Sequence, residues 1–163
     1  MSKYQLLLIA SLLAVSATAA PARVIGSDAQ ACLSGKPSML VRVSVFKRGT
    51  GTVKVAVYAA GGYLARRGKL GKVEVPVSST APVDICIAVP KAGQYAVAVH
   101  HDLNGNGNKD GSDGGGYSGN PKLSITNLKP SFGRTAVQVG TAPRQVTVML
   151  MYRRGLSIAP VRG

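Results

Sequence analysis

Asp102-Leu103-Asn104-Gly105-Asn106-Gly107-Asn108-Lys109-Asp110-Gly111-Ser112-Asp113 is the stretch whose residue types and spacing could do chemistry. The chain carries twenty Lys and Arg against six Asp and Glu, yet three of the six acids fall in this segment. A calcium loop needs oxygen ligands at positions 1, 3, 5, 7, 9 and 12, with Gly at position 6 for a sharp turn. Counted from Asp102, those positions are Asp102, Asn104, Asn106, the Asn108 carbonyl, Asp110 and Asp113, with Gly107 at the turn. Position 12 departs from the pattern, because Asp113 stands where a bidentate Glu is usual. A shorter Asp and the nearby Lys109 both weaken such a site, towards dissociation constants of roughly 10⁻⁴–10⁻³ M. The same letters also write a metal-free loop, since Asn104-Gly105 and Asn106-Gly107 are each good hairpin turns. Gly114, Gly115 and Gly116 follow, so no flanking helix of an EF-hand is expected.

Other chemistry is tested by motif and not found. The chain has no Gly-x-Ser-x-Gly elbow, no His-Glu-x-x-His, no P-loop and no dinucleotide fingerprint. The possible neutral-pH bases are His100 and His101, adjacent on a predicted strand and therefore pointing to opposite faces. Parity sends His101 to the core, bonded to the loop or its own backbone, and leaves His100 exposed. A hydrolase using His100 or His101 with Asp102 is the enzymatic alternative; no catalytic residue is assigned.

The elements that must position the loop read as strands. Met39, Val41, Val43 and Val45 alternate with polar or smaller neighbours, as do Val53–Val57, Val73–Val77, Val83–Val89, Tyr95–His101 and Val146–Tyr152. Period two, β-branched side chains and Gly or Pro punctuation specify half-buried antiparallel strands. Residues 122–126 and 135–139 are shorter candidates. No helical period stands out after residue 20, although Gly61–Gly71 has room for a turn of helix. Seven or eight short strands predict an all-β antiparallel sandwich with Greek-key connections, a barrel being the competing closure. Pro76, on the outward parity, suits an edge strand.

Residues 1–19 read as a signal peptide: Lys3, an apolar run from Leu6 to Val15, and Ala17-Thr18-Ala19 before the cut. That run is too short to span a bilayer. The expected division is then an N-terminal segment 20–37, a sandwich domain 38–154 and a tail 155–163. A periplasmic or secreted location makes Cys32 and Cys86 a candidate disulfide, with two buried thiols the alternative. Cys86 shares the outward parity of Asp84, so a bond would bring the N-terminal segment over that sheet.

At Gly93–Asp110 the run Gly-Gln-Tyr-Ala-Val-Ala-Val-His-His-Asp-Leu-Asn-Gly-Asn-Gly-Asn-Lys-Asp resembles a family of small exported bacterial proteins with a His-Asp-x-Asn-x-Asn signature and no assigned activity. Gly116-Tyr117-Ser118-Gly119-Asn120 and Pro130-Ser131-Phe132 match its later elements. The resemblance spans roughly residues 38–152. It implies an immunoglobulin- or transthyretin-like sandwich, an exported location and no particular chemistry. The Cys pair and the basic charge depart from the family pattern.

The formal charge is +14, or +13 once Lys3 leaves with the signal peptide (14 − 1). Lys47-Arg48, Arg66-Arg67 and Arg153-Arg154 fall at expected loop and tail positions. Such a surface attracts anionic envelope material, or is merely solvated. No nucleic-acid motif is present, Trp is absent, and two Phe make no stacking platform. The expectation is an exported, non-catalytic binding or structural module at the cell envelope, with a calcium-stabilised loop and no membrane span. A transthyretin-like small-ligand carrier is the alternative.

Overall fold

The computed structural model describes residues 23–161. The expected signal peptide therefore lies outside the described residues. The alternating valines do what period two requires: Met39, Val41, Val43, Val53, Val55 and Val57 are wholly buried, while their neighbours in sequence face the other way. These inward rows come from two stacked, open sheets, and the chain is an all-β sandwich rather than a barrel.

In the smaller sheet the order is β1 (Val24–Ile25), β5 (Val83–Ala88), β2 (Ser38–Ser44) and β9 (Arg144–Met149). The larger sheet runs β11 (Ser157–Ala159), β10 (Met151–Arg154), β7 (Gly114–Tyr117), β6 (Gly93–Asp102), β3 (Thr52–Tyr58) and β4 (Lys69–Pro76). β8 (Ala136–Val139) also pairs with β6. β4 closes one edge of that sheet, which is where Pro76 can sit without breaking a ladder.

Several expectations are corrected. There are eleven strands among the described residues, not seven or eight. Two pairings, β1 with β5 and β2 with β9, are parallel. The run expected as one strand to Tyr152 divides at Leu150, where the chain passes from the smaller sheet into the larger. Residues 122–126 form no strand, only an isolated bridge between Ser124 and Asn127. Arg153 and Arg154 belong to β10, and β11 follows within the expected tail.

The N-terminal segment lies on the smaller sheet through β1 and a five-residue helix, α1 (Ala29–Leu33). Five residues are too few to show a period, so α1 is not legible in the residue pattern. Its position is fixed from outside. Cys32 is bonded to Cys86, and the Asp28 carboxylate accepts from the Ala88 N–H at 2.9 Å. Asp84 and Cys86 are buried beneath this segment, as the parity argument requires.

β6 is the central strand of the larger sheet. One edge pairs with β3 from Ala96 to Asp102, while the other pairs first with β8 and then with β7, end to end. Ser118 bridges the gap between those two partners. Its N–H donates to the Val97 carbonyl, its Oγ accepts from the Val97 N–H, and its hydroxyl also reaches the Thr135 carbonyl. A side chain thus completes a ladder where no strand residue is available.

Candidate functional site

The 102–113 loop joins β6 to β7, adjacent antiparallel strands, so its two ends are held side by side. Asp102 closes β6 and is 1% exposed. Its Oδ2 accepts from the Lys54 ammonium at 2.9 Å and from the Gly107 N–H at 2.8 Å. Its Oδ1 is buried and has no hydrogen-bond partner. Gly107, at φ +81°, provides the turn that brings its N–H back to Asp102.

Three more of the predicted side chains converge in the loop. Asn104 and Asn106 both point their amides at Asp110 Oδ2, at 2.9 and 3.3 Å. Successive turns are fastened in the same way: Asn104 Oδ1 accepts from the Asn106 N–H and Asn106 Oδ1 from the Asn108 N–H. Asp110 Oδ1 accepts from the Ser112 N–H and hydroxyl. Those two Ser112 bonds, followed by the Asn104 and Asn106 amides, push the Asp110 carboxyl down to about 2. The Lys54 ammonium lowers Asp102 against the opposing effect of burial, and the same bond raises Lys54.

Asp113 plays a separate part. Its Oδ1 accepts from the Leu103 N–H, and its Oδ2 meets His100 Nε2 at 2.8 Å and the Asp110 N–H at 3.2 Å. It fastens the base of the loop, and its carboxylate makes no bond to the two asparagine amides that meet the Asp110 side chain. Among the described residues no group of three or more His, Cys, Asp or Glu side chains is arranged to hold a metal.

The two histidines divide as parity requires, but His100 is not exposed. Its side chain is shielded by the pairing with Asp113 and sits beside Lys54, its cross-strand partner. His101 is fully buried. The Thr50 carbonyl can only accept, so the proton sits on Nε2, 2.8 Å away, and the Tyr152 hydroxyl donates to Nδ1 at 2.7 Å. Tyr152 in turn accepts from the Lys47 N–H. His101 therefore ties β6 to the turn after β2 and to β10. Burial pushes the Tyr152 hydroxyl up to about 12.

The Gly-Gly-Gly-Tyr-Ser segment after the loop serves this arrangement. A side chain on Gly114 would meet the Tyr152 ring at 2.4 Å, so only Gly lets that ring lie against β7. Tyr117 does not return to the loop; its hydroxyl donates to the Leu128 carbonyl at 2.8 Å, holding the 121–131 segment against the sheet.

Beside the loop, the outer face of the larger sheet forms an open trough of about 700 Å³. Sequence reasoning missed it. Its signal was present in the small residues Ala56, Ala98 and Gly115, on outward positions of central strands where bulky β-branched residues are preferred.

Residues 41–147 match the family model DUF2141, described as an uncharacterized protein conserved in bacteria. No curated protein and no solved structure matches the chain.

Proposed function

The chain belongs to DUF2141, and since that membership carries no activity with it, we propose from the site itself that the protein is an exported, non-catalytic binding module whose 102–113 loop takes a calcium ion. The observation that carries this reading is Asp102. A buried carboxylate oxygen without a partner costs about 1–3 kcal/mol or more, and a cation in the loop would supply the missing interaction. Asp102 occupies position 1 of the loop, and its other oxygen already makes the bond to position 6. Turning oxygens instead of nitrogens towards Asp110 would release the Asn104 and Asn106 side chains from the Asn106 and Asn108 N–H groups, a loss the ion's own bonds would offset. Asp102, Asn104, Asn106, the Asn108 carbonyl and Asp110 would hold the ion. Asp113 would support the loop base from the twelfth position. The disulfide fits an oxidising compartment, and no helix among the described residues is long and apolar enough to cross a membrane. The non-catalytic reading rests on both histidines being engaged in holding strands and loop together.

Thermal unfolding tests the calcium site. At a Kd of roughly 10⁻⁴–10⁻³ M, about 10 mM calcium is a ten- to hundredfold excess and stabilises the folded state by about 1.4–2.7 kcal/mol. Millimolar calcium should raise the midpoint of the parent, chelator should reverse the rise, and Asp110→Ala should lack it. Asp110 is exposed, so its loss leaves the core intact. An equal midpoint with calcium and with chelator ends the calcium reading.

A further inference from the structure

The trough on the larger sheet is built like a binding site rather than a bare sheet face. Its floor holds three small residues on three adjacent strands: Ala56 opposes Ala98, and Gly115 lies diagonally across β6, opposite His100, two residues on. Ala and Gly in the middle of a sheet forgo packing and β-propensity, and Gly there marks a bulge, a bend or a close approach by a ligand or another backbone. The walls are tall. Tyr58 and Tyr117 rise at one end, Met151 stands beside Gly115, and Leu128 is held over the edge by the Tyr117 hydroxyl. From Lys54 to Tyr58 along β3 the trough is about 13 Å long, at roughly 3.3 Å per residue.

Charge is distributed unevenly around this apolar floor. Lys54 and Lys72 face it but are paired with Asp102 and Glu74. Lys69, Lys109, Lys129 and Arg153 also face it, and among the described residues none has an acidic partner. Arg153 lies one step beyond the Tyr152–Gly114 pair, so it stands with Lys109 at the loop end. The opposite end is aromatic, with Lys69 beside Tyr58, while Asp110 and Asp113 line the loop end together with the two cations. A ligand complementary to this trough has an acidic head at the loop end and an apolar body lying on Ala56 and Ala98.

We propose that the trough binds a single small amphipathic organic anion, its carboxylate, sulfonate or phosphate head near Lys109 and Arg153. The proposal rests on the binding-module reading above, and names its ligand class. It also couples to calcium. An ion in the loop offsets the Asp102 and Asp110 charges at the head-group end, so calcium and the anion favour each other's binding reciprocally.

The test is fluorescence titration of the full chain with 8-anilinonaphthalene-1-sulfonate, beside N-phenyl-1-naphthylamine, which has the same apolar body without the sulfonate. A Cβ at Gly115 meets only the Val99 carbonyl, at 3.7 Å, so Gly115→Leu enters the trough without a backbone clash. We expect that variant to weaken the sulfonate at least tenfold, with an unchanged melting midpoint. Ala98→Val, from the neighbouring strand, repeats the test should Gly115→Leu melt early. Lys109→Glu/Arg153→Glu should weaken the sulfonate about tenfold and leave the neutral probe within twofold. Equal sulfonate affinity in the parent and a folded trough-filling variant overturns the proposal, as does equal weakening of both probes by the charge reversal. Trough-dependent binding that ignores calcium keeps the trough and removes the coupling. A calcium-dependent midpoint without trough-dependent binding keeps the calcium loop and removes the ligand class.

Discussion

Tyr152 shows how much depends on single polar atoms in an otherwise apolar core. Its hydroxyl joins the Lys47 N–H to His101, and His101 passes the connection on to Thr50. Tyr152→Phe would leave the Lys47 N–H and His101 Nδ1 without their partner. The expected loss is about 1–3 kcal/mol, read as a lower urea midpoint at unchanged slope. Ser118→Ala should cost a similar amount, because the Val97 N–H then faces the gap between β7 and β8 unpaired. The strand pattern made His101's inward direction legible. Its partners were not, because Thr50 and Tyr152 lie 51 residues away in either direction. For Asp102 the spacing made the loop legible, while the Lys54 pairing came only from the register of β3 against β6.

At the scale of elements, the strands with regular alternation were readable and the short ones were not. β1, β7 and β11 have two to four residues each, fewer than a periodicity needs, and β7 consists of three glycines and Tyr117. They exist because a longer neighbour offers them an edge. The division at Leu150 was equally hidden, since the inward parity of Val146, Val148, Leu150 and Tyr152 continues unbroken while the partner sheet changes. Helix α1 is the clearest case of an element held by its attachments. The disulfide closes a separation of 54 residues, which the chain-entropy model values at about 4 kcal/mol. Cys32→Ala/Cys86→Ala should therefore unfold at markedly lower denaturant. Hydrogen exchange should show the largest loss of protection in α1 and β1.

Over the whole molecule, titration sets the limits of stability. Burial pushes Tyr117 and Tyr152 from 10.0 up to about 12, so the folded chain keeps protons that the unfolded chain releases. Their contribution is complete below pH 10 and is lost as the pH rises through about 12. Asp110 runs the other way. Its carboxyl is lowered from 3.8 to about 2, so its contribution is complete above pH 3.8 and is lost as the pH falls to about 2. A melting series across pH should show the midpoint falling on both flanks, and Tyr152→Phe should shallow the alkaline one. The net charge of +14 adds a separate expectation. Association with anionic vesicles should weaken steeply between low and physiological salt, because exposed charges are screened beyond about 8 Å at 0.15 M.

The parallel pairing of β2 with β9 also sets the order in which the molecule can be assembled. Met39 meets Arg144, and Lys47 meets Tyr152 across a separation of 105 residues. Until the last part of the chain arrives, β2 has β5 on one side and an open row of N–H and C=O groups on the other. Closing so long a loop puts the domain among the slow folders, in the millisecond-to-second range. Through that interval the bare edge of β2, with its apolar face of Met39, Val41 and Val43, is a template for the β9 of another copy as readily as for its own. Crowded refolding should therefore yield domain-swapped dimers that exchange the C-terminal strands, at a fraction that rises with chain concentration.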